Sequence, residues 1–379
     1  MSQRPTIAIL GAGPAGLTAA TMLTRAGWQC SVFEADQSAR SRDQGGSLDL
    51  HPNEGQLALK KAGLWDAFMQ VARHEDQDQQ SIDHASGAVL RREAPEPGMG
   101  ERPEIDRIVL RELLLQPMPT TVVRWGQSVT AVVARADGRH ELFGVAGSLG
   151  RFDLVIGADG AWSAARAALT DIRPHYTGIT FVELWLTDVD RRHPEKARLV
   201  GHGTMFSLHG GAGIIAQRNG NALVRVYAAF RTTPEEGDRP DRTLASITKL
   251  ALLARFEGWS PALLSLIADA DSIAAVRPIV ALPNPLGWPS RPGLTLLGDA
   301  AHVMPPLGVG VNLAMLDAAE LAEALIGSTH WRDAVTLSER NMLARAEPLA
   351  ASIGAAFQDM FSVQGEQILL DNMGSHPAD

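Results

Sequence analysis

Thr6-Ile7-Ala8-Ile9-Leu10-Gly11-Ala12-Gly13-Pro14-Ala15-Gly16 is the stretch that decides the fold. Thr6 to Leu10 is apolar and β-favouring, which predicts a strand buried on both faces. Leu17 to Ala26 predicts a helix that Gly27 ends, and Gln29 to Phe33 a second strand that runs into Glu34. In such a βαβ unit Gly11 permits a tight turn, Gly13 lets the backbone approach a pyrophosphate, and Gly16 allows close helix–strand packing. The helix N-terminus attracts the phosphate charge. Glu34 lies where a carboxylate accepts hydrogen bonds from an adenosine ribose. These residues name a dinucleotide; FAD and NAD suit them equally.

Two further glycine segments lie far along the chain, Gly157-Ala158-Asp159-Gly160 and Leu297-Gly298-Asp299-Ala300-Ala301-His302. With 379 residues, 45% hydrophobic and 20% charged, the chain is long enough for two domains with cores of their own. A net charge of −9 without basic runs argues against nucleic acid or an anionic membrane as partner. The lone Cys30 excludes an intrachain disulfide framework and is expected as a buried, inert thiol of the second strand. Glycines, Pro14 and Arg25 interrupt the apolar stretch Thr6 to Trp28, which therefore reads neither as a signal nor as a membrane segment. A soluble, cytoplasmic monomer is the expectation.

Ser38 to Leu50 is polar and glycine-bearing and predicts a loop. Helices are expected from an Asn53 cap to Lys61, at Arg107 to Gln116, Trp162 to Leu169, Leu244 to Phe256, Pro261 to Ala268, Val311 to Leu325 and Trp331 to about Gln364. Strands are expected at Thr121 to Trp125, Val129 to Ala134, His140 to Val145, Asp153 to Gly157 and Leu294 to Leu297. From Ile179 to Phe230 the alternating texture predicts an antiparallel sheet. Arg277 to Pro292 reads as a Pro-rich connection.

With the three segments in this order, the chain resembles the class A flavoprotein monooxygenases, the group of para-hydroxybenzoate hydroxylase. Within it the chain is most similar to the tetracycline-inactivating flavin monooxygenases. Shared text includes Gly45-Gly46-Ser47-Leu48-Asp49-Leu50-His51, Pro103-Glu104-Ile105-Asp106-Arg107 and Gly298-Asp299-Ala300-Ala301-His302-Val303-Met304-Pro305-Pro306. The resemblance implies an α/β fold: a Rossmann-like FAD-binding domain of glutathione-reductase type, an interleaved antiparallel-sheet substrate domain and a C-terminal helix. The expected division is 1–75, 98–172 and 279–330 for FAD, 76–97 and 173–278 for substrate, and 331–379 for a bridging helix and tail.

The implied activity is FAD-dependent, NAD(P)H-driven hydroxylation of an aromatic or polycyclic small molecule by O2 through a flavin hydroperoxide, with tetracycline-like antibiotics among the candidates. A flavin reductase or halogenase on the same fold, or a non-catalytic ligand-binding flavoprotein, are the alternatives. Chemistry of this kind is borne by the cofactor, so no catalytic side chain and no metal cluster is nominated. His302 reads as structural rather than as a proton donor.

The cofactor residues implied are Gly11, Gly13, Ala15, Gly16, Glu34, Arg42, Asp49, Arg107, Asp159, Asp299, Gly308, Gly310, Val311 and Asn312. Asp299 follows a strand, where its carboxylate can accept from ribityl hydroxyls. The helix after Gly310 would present free N–H groups to the flavin. Asp159 reads equally as a helix cap.

Substrate candidates are Glu183, Trp185, Met205, Arg225, Pro306 and Met360. The apolar ones read equally as core, and Arg225 equally as solvent-facing. Two departures stand out. The loop Leu307-Gly308-Val309-Gly310 is one residue shorter than in the tetracycline-inactivating enzymes and lacks their glutamine. Glu183 and Arg225 stand where those enzymes place other side chains.

Overall fold

The computed structural model describes residues 4–41, 45–94, 102–233, 244 and 246–373. Two compact units are formed, one from Met1–Ala72, Arg107–His175 and Val280–Ile353, the other from Arg73–Asp106, Tyr176–Ile279 and Gly354–Asp379.

The first unit is built on a parallel sheet in the order Leu294–Leu296, Leu154–Gly157, Ile7–Leu10, Cys30–Phe33, Val123–Arg124. Ile7 to Leu10 are buried throughout, because parallel strands with crossover helices have no wet face. Cys30 is half-buried beside the Thr24 hydroxyl; burial pushes its thiol up, which suits an inert role. The helix Pro14–Arg25 begins earlier than its apolar run suggests, since Pro14 is favourable in a first turn. The helix Gly310–Gly327 packs against it. Gly298 fits between Ala15 and Ala314, where a Cβ would press on both methyls. The helix expected from an Asn53 cap runs instead over Gly55–Ala62 with Glu54 at the cap position, and closes at Gly63 with φ 67°.

A three-stranded antiparallel sheet completes this unit. Its third strand, Gly147–Phe152, escapes the sequence pattern. Gly147 and Gly150 weaken the local signal, and pairing with His140–Gly144 supplies what propensity does not.

The second unit carries seven strands in the order Ser272–Ala281, His175–Leu186, Leu223–Arg231, Ala212–Asn219, Gly203–His209, Asp78–Ile82, Val89–Glu93. It is not purely antiparallel: Gly203–His209 and Asp78–Ile82 pair in parallel. Arg277 to Ala281 belongs to a strand rather than to a Pro-rich connection, Pro278 included. The strand lies at the sheet edge, where a missing N–H is tolerated. Short helices Val189–Arg192 and Pro194–Val200 interrupt the expected run of strands.

One face of this sheet packs Val182, Leu184, Val224, Val226 and Ile214 against Leu252, Phe256, Leu263 and Leu266. The helices there are Lys249–Ala254, shorter than expected, and Pro261–Ala268. The final long helix ends at Met360, and a separate helix, Gly365–Met373, follows.

Candidate cofactor site

The first glycine loop owes its shape to sterics. Gly11 has φ 95°, and its N–H donates to Phe33 O at 2.8 Å. A Cβ there would come under 3.0 Å from the Ala158 carbonyl, and one on Gly16 under 3.0 Å from the Gly11 carbonyl. Gly13 differs: a Cβ on it would meet nothing within 4 Å. Gly13 is also the N-cap of Pro14–Arg25, and no side chain caps that helix. An uncapped helix N-terminus behind an open glycine is the cradle a pyrophosphate requires.

Glu34 stands beside this loop, with Oε2 accepting from Ala12 N–H at 2.6 Å and Oε1 from Asp36 N–H at 2.9 Å. Arg111 completes the arrangement. Its Nε donates to the Ala12 carbonyl at 3.1 Å, its Nη1 pairs with Asp36 at 2.9 Å, and its Nη2 lies 3.5 Å from Glu34. Sequence reading passed over Arg111. The available signal was a cation on the buried side of the helix Arg107–Leu115, where burial of a charge demands partners.

Asp299 opens the helix Asp299–His302; its carboxylate is exposed and has no hydrogen-bond partner among the described residues. Gly310, at the start of the long helix, faces open space, and no side chain caps that helix either. Asn312 is wholly buried, and its amide is spent on the Asp49 and Gly308 carbonyls and the His51 N–H. What Val311 and Asn312 can offer a cofactor is backbone.

The Asp49 carboxylate lies 3.1 Å from His51 Nε2, and the other ring nitrogen of His51 is 3.1 Å from Glu54. The Arg107 side chain runs along the backbone of Gly45. Arg42 lies outside the described residues.

Asp159 acts as a cap, a role compatible with its cofactor reading. Ser163 Oγ and the N–H groups of Ala164 and Ala165 bond its two oxygens, so the carboxylate is turned to the helix Ala164–Leu169. Burial pushes this carboxyl up, against the pull of those bonds. Arg166 of the same helix, buried and also missed, donates to the carbonyls of Ala161 and Ala300 and so joins the second glycine segment to the third.

His302 is structural, with Nε2 2.6 Å from Asp317 Oδ2, both side chains buried, and Arg345 2.7 Å from the other Asp317 oxygen.

The substrate candidates separate by strand parity. Glu183 and Trp185 share the sheet face opposite the helices, with Arg225 paired across from Trp185. Glu183 is ion-paired with Arg225 and accepts from Arg277 Nε at 2.7 Å and Trp185 Nε1 at 3.1 Å. Burial alone would raise the Glu183 carboxyl, but Arg277, Trp185 and Arg225 hold it below the usual carboxylate range. Arg225 is buried and does not face solvent.

Met205 must be withdrawn. It is fully buried on the helix-covered face with Val182 and Leu184, and its neighbour Phe206 is the one with opposite parity. Met360 is half-buried in the second unit, and Pro306 is exposed in the first.

The family model described as FAD binding domain matches residues 4–339. Monooxygenase asqM of Emericella nidulans is 32% identical over 374 residues, covering 84% of this chain and 83% of that protein. 3-Amino-4-hydroxybenzoate 2-monooxygenase PtmB3 of Streptomyces platensis is 33% identical over 341 residues, covering 86% and 80%. The chain belongs to the class A FAD-binding monooxygenases. Klebsiella pneumoniae HpxO, solved with FAD and uric acid, shares the fold at a TM-score of 0.80 and 22% identity, over 99% of this chain and 93% of that one.

The monooxygenase is thus an FAD enzyme with an α/β Rossmann-type domain, mixed sheets and a helical C-terminal region. Its open Gly13, uncapped helix starts and partnerless Asp299 fit that cofactor. Among the described residues no helix is long and apolar enough to cross a membrane.

Proposed function

We propose that this FAD-dependent monooxygenase draws its electrons from NADPH or NADH and uses O2 to hydroxylate a flat aromatic or heterocyclic molecule with an electron-rich carbon. FAD, when bound, supplies both the hydride acceptor and the activation of O2. The chain's own residues hold and shield it. The Gly13 helix start takes the pyrophosphate, Glu34 the ribose and Asp299 the ribityl chain, and the Gly310 helix start supports negative charge on the ring.

The observation that carries the substrate class is the sheet face bearing Glu183, Trp185, Arg225 and Arg277. One carboxylate stands there among two guanidiniums, with an indole beside them. The half-exposed Arg277 guanidinium, bonded to the same carboxylate as the Trp185 indole, suits an aromatic acid or an ionised phenol. The aminohydroxybenzoate named for the Streptomyces platensis relative is of that kind. Glu183, Trp185, Arg225 and Met360, all of the second unit, are the substrate residues of this proposal. The finer readings belong to it as well: the glutathione-reductase variant of the fold, a monomeric cytoplasmic protein, and kinship with the tetracycline-inactivating subgroup.

The test is oxidation of NADPH and NADH by the purified holoenzyme against hydroxybenzoates, hydroxypyridines, purines and tetracyclines, with mass spectrometry of the products. Substrate-stimulated oxidation giving a product heavier by one oxygen is expected. Oxidation that no compound stimulates, or that yields peroxide alone, would remove the hydroxylase reading.

A further inference from the structure

In the second unit the turn Asp83 to Ala88 joins two strands, and the helix Gly365–Met373 packs on that part of the sheet. Asp83, His84 and Glu366 each offer one ligand-type atom, and the three atoms lie within 4.8 Å of one another. His84 Nδ1 lies 3.7 Å from Asp83 Oδ2 and 3.9 Å from Glu366 Oε2. Both distances are too long for hydrogen bonds. They are close to the edge of a tetrahedral shell, roughly 3.3–3.6 Å when nitrogen and oxygen ligands sit at about 2.0–2.2 Å from a zinc ion.

A second observation points the same way. His84 Nδ1 and Glu366 Oε2 are buried atoms, and neither has a hydrogen-bond partner among the described residues. Buried polar atoms are ordinarily satisfied, so the pair lacks a common partner that accepts electron pairs from both. Asp83 Oδ1 is occupied by the N–H and hydroxyl of Ser86, at 2.7 and 2.6 Å, which leaves Oδ2 for the cluster. The His84 ring is held in place by stacking on His209 at 3.6 Å and by the edge of Trp259, and the His84 carbonyl accepts from Ser260 N–H at 2.7 Å. The ligand-type atoms are therefore presented by a braced ring and a turn.

We propose that Asp83, His84 and Glu366 form a site for a divalent transition metal, with Zn2+ as its first candidate, that clamps the helix Gly365–Met373 to the turn at 83–88. One imidazole nitrogen with two carboxylates suits Zn2+ and its first-row neighbours better than Mg2+ or Ca2+, which take oxygen shells. With three protein ligands, a water completes the tetrahedron. The role of the site in this proposal is structural.

The experiment titrates Zn2+ alone into the chelator-treated, FAD-loaded full chain by calorimetry and follows the melting temperature. One equivalent is expected to bind and to raise the melting temperature. Glu366→Gln and His84→Gln should each weaken binding at least tenfold while FAD content stays unchanged. His209→Gln keeps all three ligands and should bind as the parent does. Glu366 lies on a partly exposed helix, so its variant tests the site even where the His84 variant folds poorly. Absence of a one-equivalent event in the parent chain would overturn the proposal. So would binding that survives Glu366→Gln unchanged, or that depends on His209 and not on His84.

Discussion

The side-chain amide of Asn312 donates to the backbone carbonyl of Asp49 at 2.9 Å, across 263 positions of sequence. The same amide accepts from His51 N–H at 2.8 Å and donates to the Gly308 carbonyl at 3.1 Å. One buried side chain thus holds the Asp49 loop to the glycine loop that starts the long helix.

Asn312→Ala would leave three backbone groups without this partner. A loss of roughly 2–4 kcal/mol is expected, since orphaning a buried polar group costs about 1–3 kcal/mol and partial re-solvation offsets part of the sum. FAD retention should fall with it. Urea denaturation and the flavin content after gel filtration measure both; parent-like values would show that the loops hold without the amide.

The glycines of the first loop should separate cofactor binding from folding. Gly13→Ala meets nothing within 4 Å, at an ordinary φ of −82°. The apoprotein should melt as the parent does, while FAD binds at least tenfold more weakly, about 1.4 kcal/mol. Gly16→Ala forces a methyl onto the Gly11 carbonyl and should cost stability as well. Equal FAD affinity in Gly13→Ala and the parent would mean that the pyrophosphate does not approach there.

His302 gives a pH signature. Burial alone would lower its pKa, but the hydrogen bond and charge of Asp317, with Asp299 further off, raise it above the usual value. A raised folded-state pKa stabilises fully below the unfolded value of about 6.5 and is lost as pH rises through the folded-state pKa. The melting temperature should therefore fall on going from about pH 6.5 into the alkaline range, and His302→Gln should flatten that slope. Parallel pH profiles for parent and variant would refute the assignment.

Glu183 and Arg277 should part stability from substrate choice. Glu183→Leu removes the carboxylate from the buried Arg225, and breaking a buried ion pair costs about 3–5 kcal/mol. Arg277 is half-exposed, so Arg277→Gln should cost under about 1 kcal/mol. With an anionic aromatic substrate, that variant should raise KM several-fold, and with a neutral analogue it should not. An equal change for both would remove charge recognition from this face.

Local chemistry made much of the fold legible. Buried runs such as Ile7 to Leu10 and Leu154 to Gly157, and helix stops such as Gly27 and Gly63, act within a few residues and survive without tertiary context. The strand Gly147–Phe152 and the strand residues Arg277 to Ala281 were hidden, because glycine and proline speak against a strand until a partner strand supplies the hydrogen bonds.

By itself the sequence determined the glycine loop between strand and helix and the acidic residue after the second strand, since each depends on residue type at fixed spacing, while the Gly298-Asp299 segment was read through a family resemblance. Tertiary structure alone decided which charges are partnered. It put Arg111 behind the glycine loop and turned Asp159 to its own helix. It buried Met205 under the helices and closed Glu183 between two arginines. The reason is physical. A charge or a sulfur has its role set by what desolvates it and what lies opposite, and those neighbours come from strands and helices far away in the chain.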